Sequence, residues 1–126
     1  MGYVRASIKI ENPRNSKLAK IEKDALVDPG ALMLCIPEHI CVQMKFEELE
    51  KREVTRADGK KQLVSYVGPV LVRFENRSCF VGALVMGDEV LLGAVPMEDM
   101  DLIVSPAFKK VVVNPDSPNF PQALVK

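Results

Sequence analysis

Val4, Ala6, Ile8 and Ile10 alternate with Arg5, Ser7 and Lys9, and a period of two is what a strand with one face in a core requires. The pattern predicts a first strand over 4–11. Asn12-Pro13-Arg14-Asn15-Ser16 is a cluster of turn residues, and a second extended run over 18–27 ends in the apolar Ala25-Leu26-Val27, which together predict an opening hairpin. Asp28-Pro29-Gly30 breaks that run before a short apolar stretch over 32–36. Pro37 suits a first helical position, Glu38 suits a first turn, and Ile40, Cys41 and Met44 share one side, so a short helix is expected near 37–45.

From Glu47 to about Arg56 the chain is strongly charged, and Asp58-Gly59 followed by Lys60-Lys61 is a hairpin signal between two extended arms. Val64, Tyr66, Val70, Val72 and Phe74 continue as a long strand. Gly68-Pro69 must mark a bend or an edge within it, because proline cannot donate to a ladder. Strands are expected over 79–86 and 89–92, then a single helical turn opened by Pro96, then strands over 102–104 and 109–113 and an extended, proline-punctuated tail. Many short strands, turns every 8–12 residues and little helix define an all-β domain built as a small closed or nearly closed barrel with one or two short helices.

Length changes this picture little: 126 residues suit one domain spanning 1–126. Charge narrows the function. With 17 Lys plus Arg against 17 Asp plus Glu, the balance disfavours a duplex-binding or polybasic membrane module. No Trp and 2 Tyr leave few stacking platforms for single-stranded nucleic acid. No apolar run reaches the ~18 residues of a membrane span, and MGYVRASIKI has no signal-type apolar region, so a soluble cytoplasmic protein is expected. Met1-Gly2 starts like a myristoylation signal but meets Ala6 where Ser or Thr is needed. Neither nucleic acid nor membrane is an expected partner.

The 3 cysteines give no secreted disulfide framework and are read as reduced thiols. Cys35, His39 and Cys41 have no fourth ligand nearby, so no metal is expected, and no cofactor is called for. Asn76-Arg77-Ser78 reads as a polar hairpin turn. Glu47, Glu48 and Glu50 beside Lys51 and Arg52 read as a solvated face, and Glu98, Asp99 and Asp101 as capping or solvated groups at a helical turn. The single histidine has no nucleophile elbow to serve.

Asp28 is the carboxylate that ends an apolar strand and enters a glycine-containing loop, where Gly30 permits close backbone approach. Alone, Asp-Pro-Gly is most simply a turn. Downstream, Val90-Leu91-Leu92-Gly93-Ala94 repeats the form of apolar residues, a glycine and a helix start, after the hairpin at Ala57-Asp58-Gly59. This order resembles the retropepsin-like aspartic proteases, in particular small single-domain prokaryotic members, from about Val4 to the tail. The resemblance implies an acid-protease barrel with Asp28 as the catalytic aspartate and Pro29, Gly30 and Ala31 as its loop. It further makes Ala57, Asp58 and Gly59 a flap tip, and Leu92-Gly93 a second motif beneath the loop.

With one such aspartate per chain, it also implies a homodimer acting on peptide or protein substrate by water-mediated hydrolysis. Pro29 stands where the family has a threonine whose hydroxyl and N–H lock the two loops across the dimer, and proline offers neither group. The dimer is then held by other contacts, or activity is weakened or lost. A catalytically weak dimer that binds peptides is therefore the alternative function, and a structural barrel without a groove the third.

Overall fold

The computed structural model describes residues 3–125. Met1-Gly2, the start of the lipidation motif, lies outside them. The opening alternation forms β1 (Val4–Glu11), with Ala6, Ile8 and Ile10 buried and Arg5, Ser7 and Lys9 outside. Burying Ile8 and Ile10 stabilises the fold by about 1.5–3 kcal/mol each. β2 (Ile21–Val27) pairs antiparallel with β1, from Val4↔Val27 to Ile10↔Ile21. It begins later than the pattern suggested because two successive turns consume the chain. The Asn12 and Asn15 side chains accept from the Arg14 and Lys17 N–H groups at 2.9 and 3.3 Å, and Leu18 N–H closes on Asn15 O at 3.2 Å.

β3 (Leu34–Ile36) leads into α1 (Glu38–Gln43). Pro37 is the extended residue that caps this helix rather than its first member, with φ −65° and ψ 157°. Ile40 and Met44, four apart, enter the core, while Glu38, His39 and Val42 face out. β4 (Glu47–Thr55) and β5 (Lys61–Phe74) are the charged hairpin. β6 (Arg77–Val85) follows the turn at Glu75-Asn76, then come β7 (Leu91–Leu92) and α2 (Ala94–Asp99). Pro96 is the third residue of α2 and not its opener. A first turn tolerates it, since those N–H groups have no intrahelical acceptor. β8 (Leu102–Ser105) and β9 (Lys110–Val113) form a separate two-stranded sheet that lies against β1.

The large sheet runs β1-β2-β7-β3-β6-β5-β4, and β5 returns to β1, which closes a six-stranded barrel. Strand takes 49% of the described residues and helix 10%, so the all-β barrel with two short helices is established. β5 makes the closure by changing neighbours. Its first half pairs with β4 up to Glu47↔Gly68, and its second half pairs with β1 over Leu71–Arg73. Pro69, lacking an N–H, falls in the gap between the two ladders, where no donor is required. The barrel interior holds Ile8, Ile10, Leu34, Ile36, Val70, Val72 and Leu92. Among the described residues no helix is long and apolar enough to cross a membrane.

Beyond β9 the tail is held by polar contacts. Asp101 does not cap α2 as the sequence suggested. Its carboxylate accepts from the Ser117 hydroxyl, from Asn114 Nδ2 at 3.0 Å and from Gln122 N–H at 2.9 Å. Those donors, the Ser117 hydroxyl foremost, pull its pKa from the ordinary 3.8 down to about 2. Arg77 is buried at 2% exposure and donates to Ser117 O, while Asn76 Nδ2 donates to Pro118 O at 2.9 Å. Phe120, Leu124 and Val125 remain exposed on the single chain.

Candidate active site

β7 has only two residues, yet it lies between two strands. It runs parallel to β2 with Leu26↔Leu91 and Val27↔Leu92, and antiparallel to β3 at Cys35↔Leu91. Leu26 N–H donates to Val90 O at 2.9 Å and Asp28 N–H to Leu92 O at 3.0 Å. The segment 28–33 therefore has to pass over the end of β7 on its way from β2 to β3. Ala94 N–H donates to Ala31 O and Val95 N–H to Leu32 O, each at 2.8 Å, which fastens the start of α2 to the underside of that segment. Gly93 makes the approach possible: a Cβ there would lie 2.4 Å from Met33 O.

Within the segment, Ala31 N–H donates to Asp28 O at 3.0 Å, a β-turn with Pro29 at the position that favours proline. Gly30 N–H donates to Asp28 Oδ1 at 2.9 Å. One carboxylate oxygen is thus aimed by the backbone of its own loop. Asp28, Pro29 and Gly30 are exposed on the single chain and Ala31 is half-buried. Leu92 and Gly93 are buried beneath them.

The hairpin tip is equally well formed. Arg56 N–H donates to Lys60 O at 2.8 Å, Gly59 N–H to Arg56 O at 2.9 Å, and Lys60 N–H to Asp58 Oδ1 at 2.9 Å. Gly59 has φ +83°, which a side chain would resist. Since Arg56 and Lys60 bond to each other, the alternation of an antiparallel ladder turns the N–H and C=O of Lys51, Glu53 and Thr55 away from β5. β4 ends the sheet order, so those groups form an open edge.

That edge borders a cleft of about 580 Å³, bounded by Gly30–Met33 on one side and Arg52–Ala57 on the other. Cys35, Leu84, Met86 and Leu91 make an apolar floor. Of the residues singled out from sequence, Gly30, Ala31 and Ala57 line the cleft directly. Asp28 and Pro29 stand at the neighbouring end of the loop, Asp58 and Gly59 at the tip beyond, and Leu92 and Gly93 support the loop from below.

Sequence reasoning did not find Arg52, Cys35, Leu84 and Leu91 as lining residues. The signal existed in the alternation of β3, where Leu34 and Ile36 are buried and Met33 and Cys35 must face the other way. Burial pushes the Cys35 thiol above its usual range, so it acts as a small apolar group on this floor. Among the described residues no three His, Cys, Asp or Glu side chains converge as a metal set. No model of a known protein family matches the chain, and no curated protein matches it.

Proposed function

We propose that the chain is a retropepsin-like aspartic endopeptidase with an acid-protease type barrel, active as a homodimer with one Asp28 from each protomer. The observation that carries this reading is the support under Asp28. A carboxylate at the end of a barrel strand has one oxygen held by Gly30 N–H, on a turn fastened to the start of a helix through Ala31 O and Leu32 O. Such preorganisation suits a group that must keep its orientation through a reaction. In the dimer the two Asp28 carboxylates come together, and like charges at close range share one proton. The ionised member takes a proton from water, and the protonated member donates to the carbonyl oxygen as the tetrahedral intermediate forms. The open edge of β4 supports the peptide as a strand, its Glu53 and Thr55 main chain supplying ladder bonds.

Pro29 favours a second reading, a dimer of the same build that binds peptides without cutting them. The two are separated by a peptide-library digest at acidic to neutral pH with the wild type and Asp28→Asn, alongside sedimentation to establish the dimer. The protease reading expects cleavage that Asp28→Asn abolishes while peptide binding persists. Binding by both proteins with cleavage by neither assigns the second reading, and a monomer at high micromolar concentration overturns both.

A further inference from the structure

Arg52 is fixed before any ligand arrives. It lies on the inward face of β4 with Val54, lines the cleft, and its guanidinium carbon sits 3.8 Å from the centroid of the Tyr66 ring. Its Nε donates to Glu50 Oε2 at 2.8 Å. Stacking and that bond hold the plane, and they leave the fork of Nη1 and Nη2 without an acceptor among the described residues. A guanidinium held this way loses less side-chain entropy on pairing with a carboxylate than a free one does.

The other charged residues that line the cleft, Glu53 and Arg56, already have partners. Arg56 lies 3.5 Å from Asp58 at the tip. Glu53 alternates to the outer face of β4, 3.9 Å from Lys61. Glu50 is already engaged on the Nε side of Arg52. The floor is apolar, and with Lys61 and Asp58 as the partners of Glu53 and Arg56, Arg52 is the cation whose Nη fork is left for a ligand.

We propose that Arg52 is a specificity-determining residue that selects an acidic side chain in the bound peptide, an inference that rests on the peptide-binding cleft proposed above and names its substrate class. A strand added to the open edge of β4 presents alternate side chains to the same two faces as β4 itself. One inward side chain then stands beside Arg52 and the next beside Val54, above the floor of Cys35, Leu84 and Leu91. The selected sequence carries a carboxylate two residues from a bulky apolar side chain, with its order set by the direction of the added strand.

The test uses peptides in which Glu or Gln stands two residues from Leu, in both orders, near neutral pH where Glu is ionised. KM and kcat are measured with the wild-type protein, and Kd with Asp28→Asn. In one order the Glu peptide is expected to show a KM or Kd lower by about two- to fivefold, as suits a partly exposed charge pair, with kcat little changed. High salt should erode the difference. Arg52→Gln should bring the Glu and Gln peptides to the same KM and Kd, and Tyr66→Leu, which keeps the charge but not the stack, should reduce the difference between them.

Equal treatment of Glu and Gln by the wild type overturns this inference and leaves the peptidase standing, as does a preference that survives Arg52→Gln. A Glu preference in binding without cleavage supports Arg52 and overturns the peptidase. Absence of both binding and cleavage overturns both.

Discussion

The Tyr66 ring lies on the backbone of Gly82, so close that a Cβ at residue 82 would be 2.1 Å from Tyr66 Cζ. The contact ties β5 to β6 on the face that carries Arg52. Gly82→Ala should therefore displace the ring, at a cost of about 1–3 kcal/mol in stability. Urea unfolding would measure it. In a Tyr66→Ala background the same substitution should cost far less, because the atoms it strikes are gone.

Gly93 is the harder position. Its φ of −89° suits any residue, so conformational freedom is not what the site needs. The obstacle is main chain, Met33 O at 2.4 Å and Leu32 C at 2.8 Å from an added Cβ. Gly93→Ala must push the Asp28 loop off α2, and it should destabilise by about 3 kcal/mol and abolish peptide binding. Gly30→Ala, whose Cβ would meet only the Asp28 side chain at 3.1 Å, should be milder in both urea unfolding and binding.

The tail should respond to acid through Asp101. Its folded pKa of about 2 lies below the ordinary 3.8, so the stabilisation is present above the ordinary value and is lost as pH falls through the folded one. Hydrogen exchange at the Gln122 amide should accelerate between about pH 4 and pH 2, beyond the intrinsic pH dependence of exchange. Asp101→Asn should give fast exchange already at neutral pH and flatten that response.

Pro29→Thr bears on the proposed dimer. Threonine restores a hydroxyl and an N–H in each protomer, worth about 0.5–1.5 kcal/mol per hydrogen bond made across the interface. Pro29 sits where a turn favours proline, so its removal returns about 0.4–1 kcal/mol per chain to the unfolded state. The hydrogen bonds should prevail, giving a tighter dimer by sedimentation and faster turnover. Unchanged dissociation and turnover would show that no loop-locking contact is missing.

Element by element, the sequence was legible where one periodicity governed. β1 and the charged hairpin follow from alternation and from Asp58-Gly59, and the all-β class from the spacing of turns. The helix starts were displaced by one or two residues at Pro37 and Pro96, because proline suits a cap and a first turn alike. The residues of the candidate loop were visible in Asp28, Gly30 and Gly93. The cleft floor was not: Cys35, Leu84 and Leu91 meet only through the register of three strands distant in sequence. Asp101 was misread for a similar reason, since its partners arrive from the tail.

The exchange of neighbours along β5 separates two kinds of constraint on this chain. The ring of six strands is complete through the pairing of Lys9–Glu11 with Leu71–Arg73, and β4 adds nothing to its closure. Changes in length or charge at the tip and arms of the hairpin leave the ring's circumference untouched. The wall is accordingly bound by packing, and a library over the exposed positions of 50–62, with Gly59 kept, would vary the rim of the cleft while leaving the ring of strands alone.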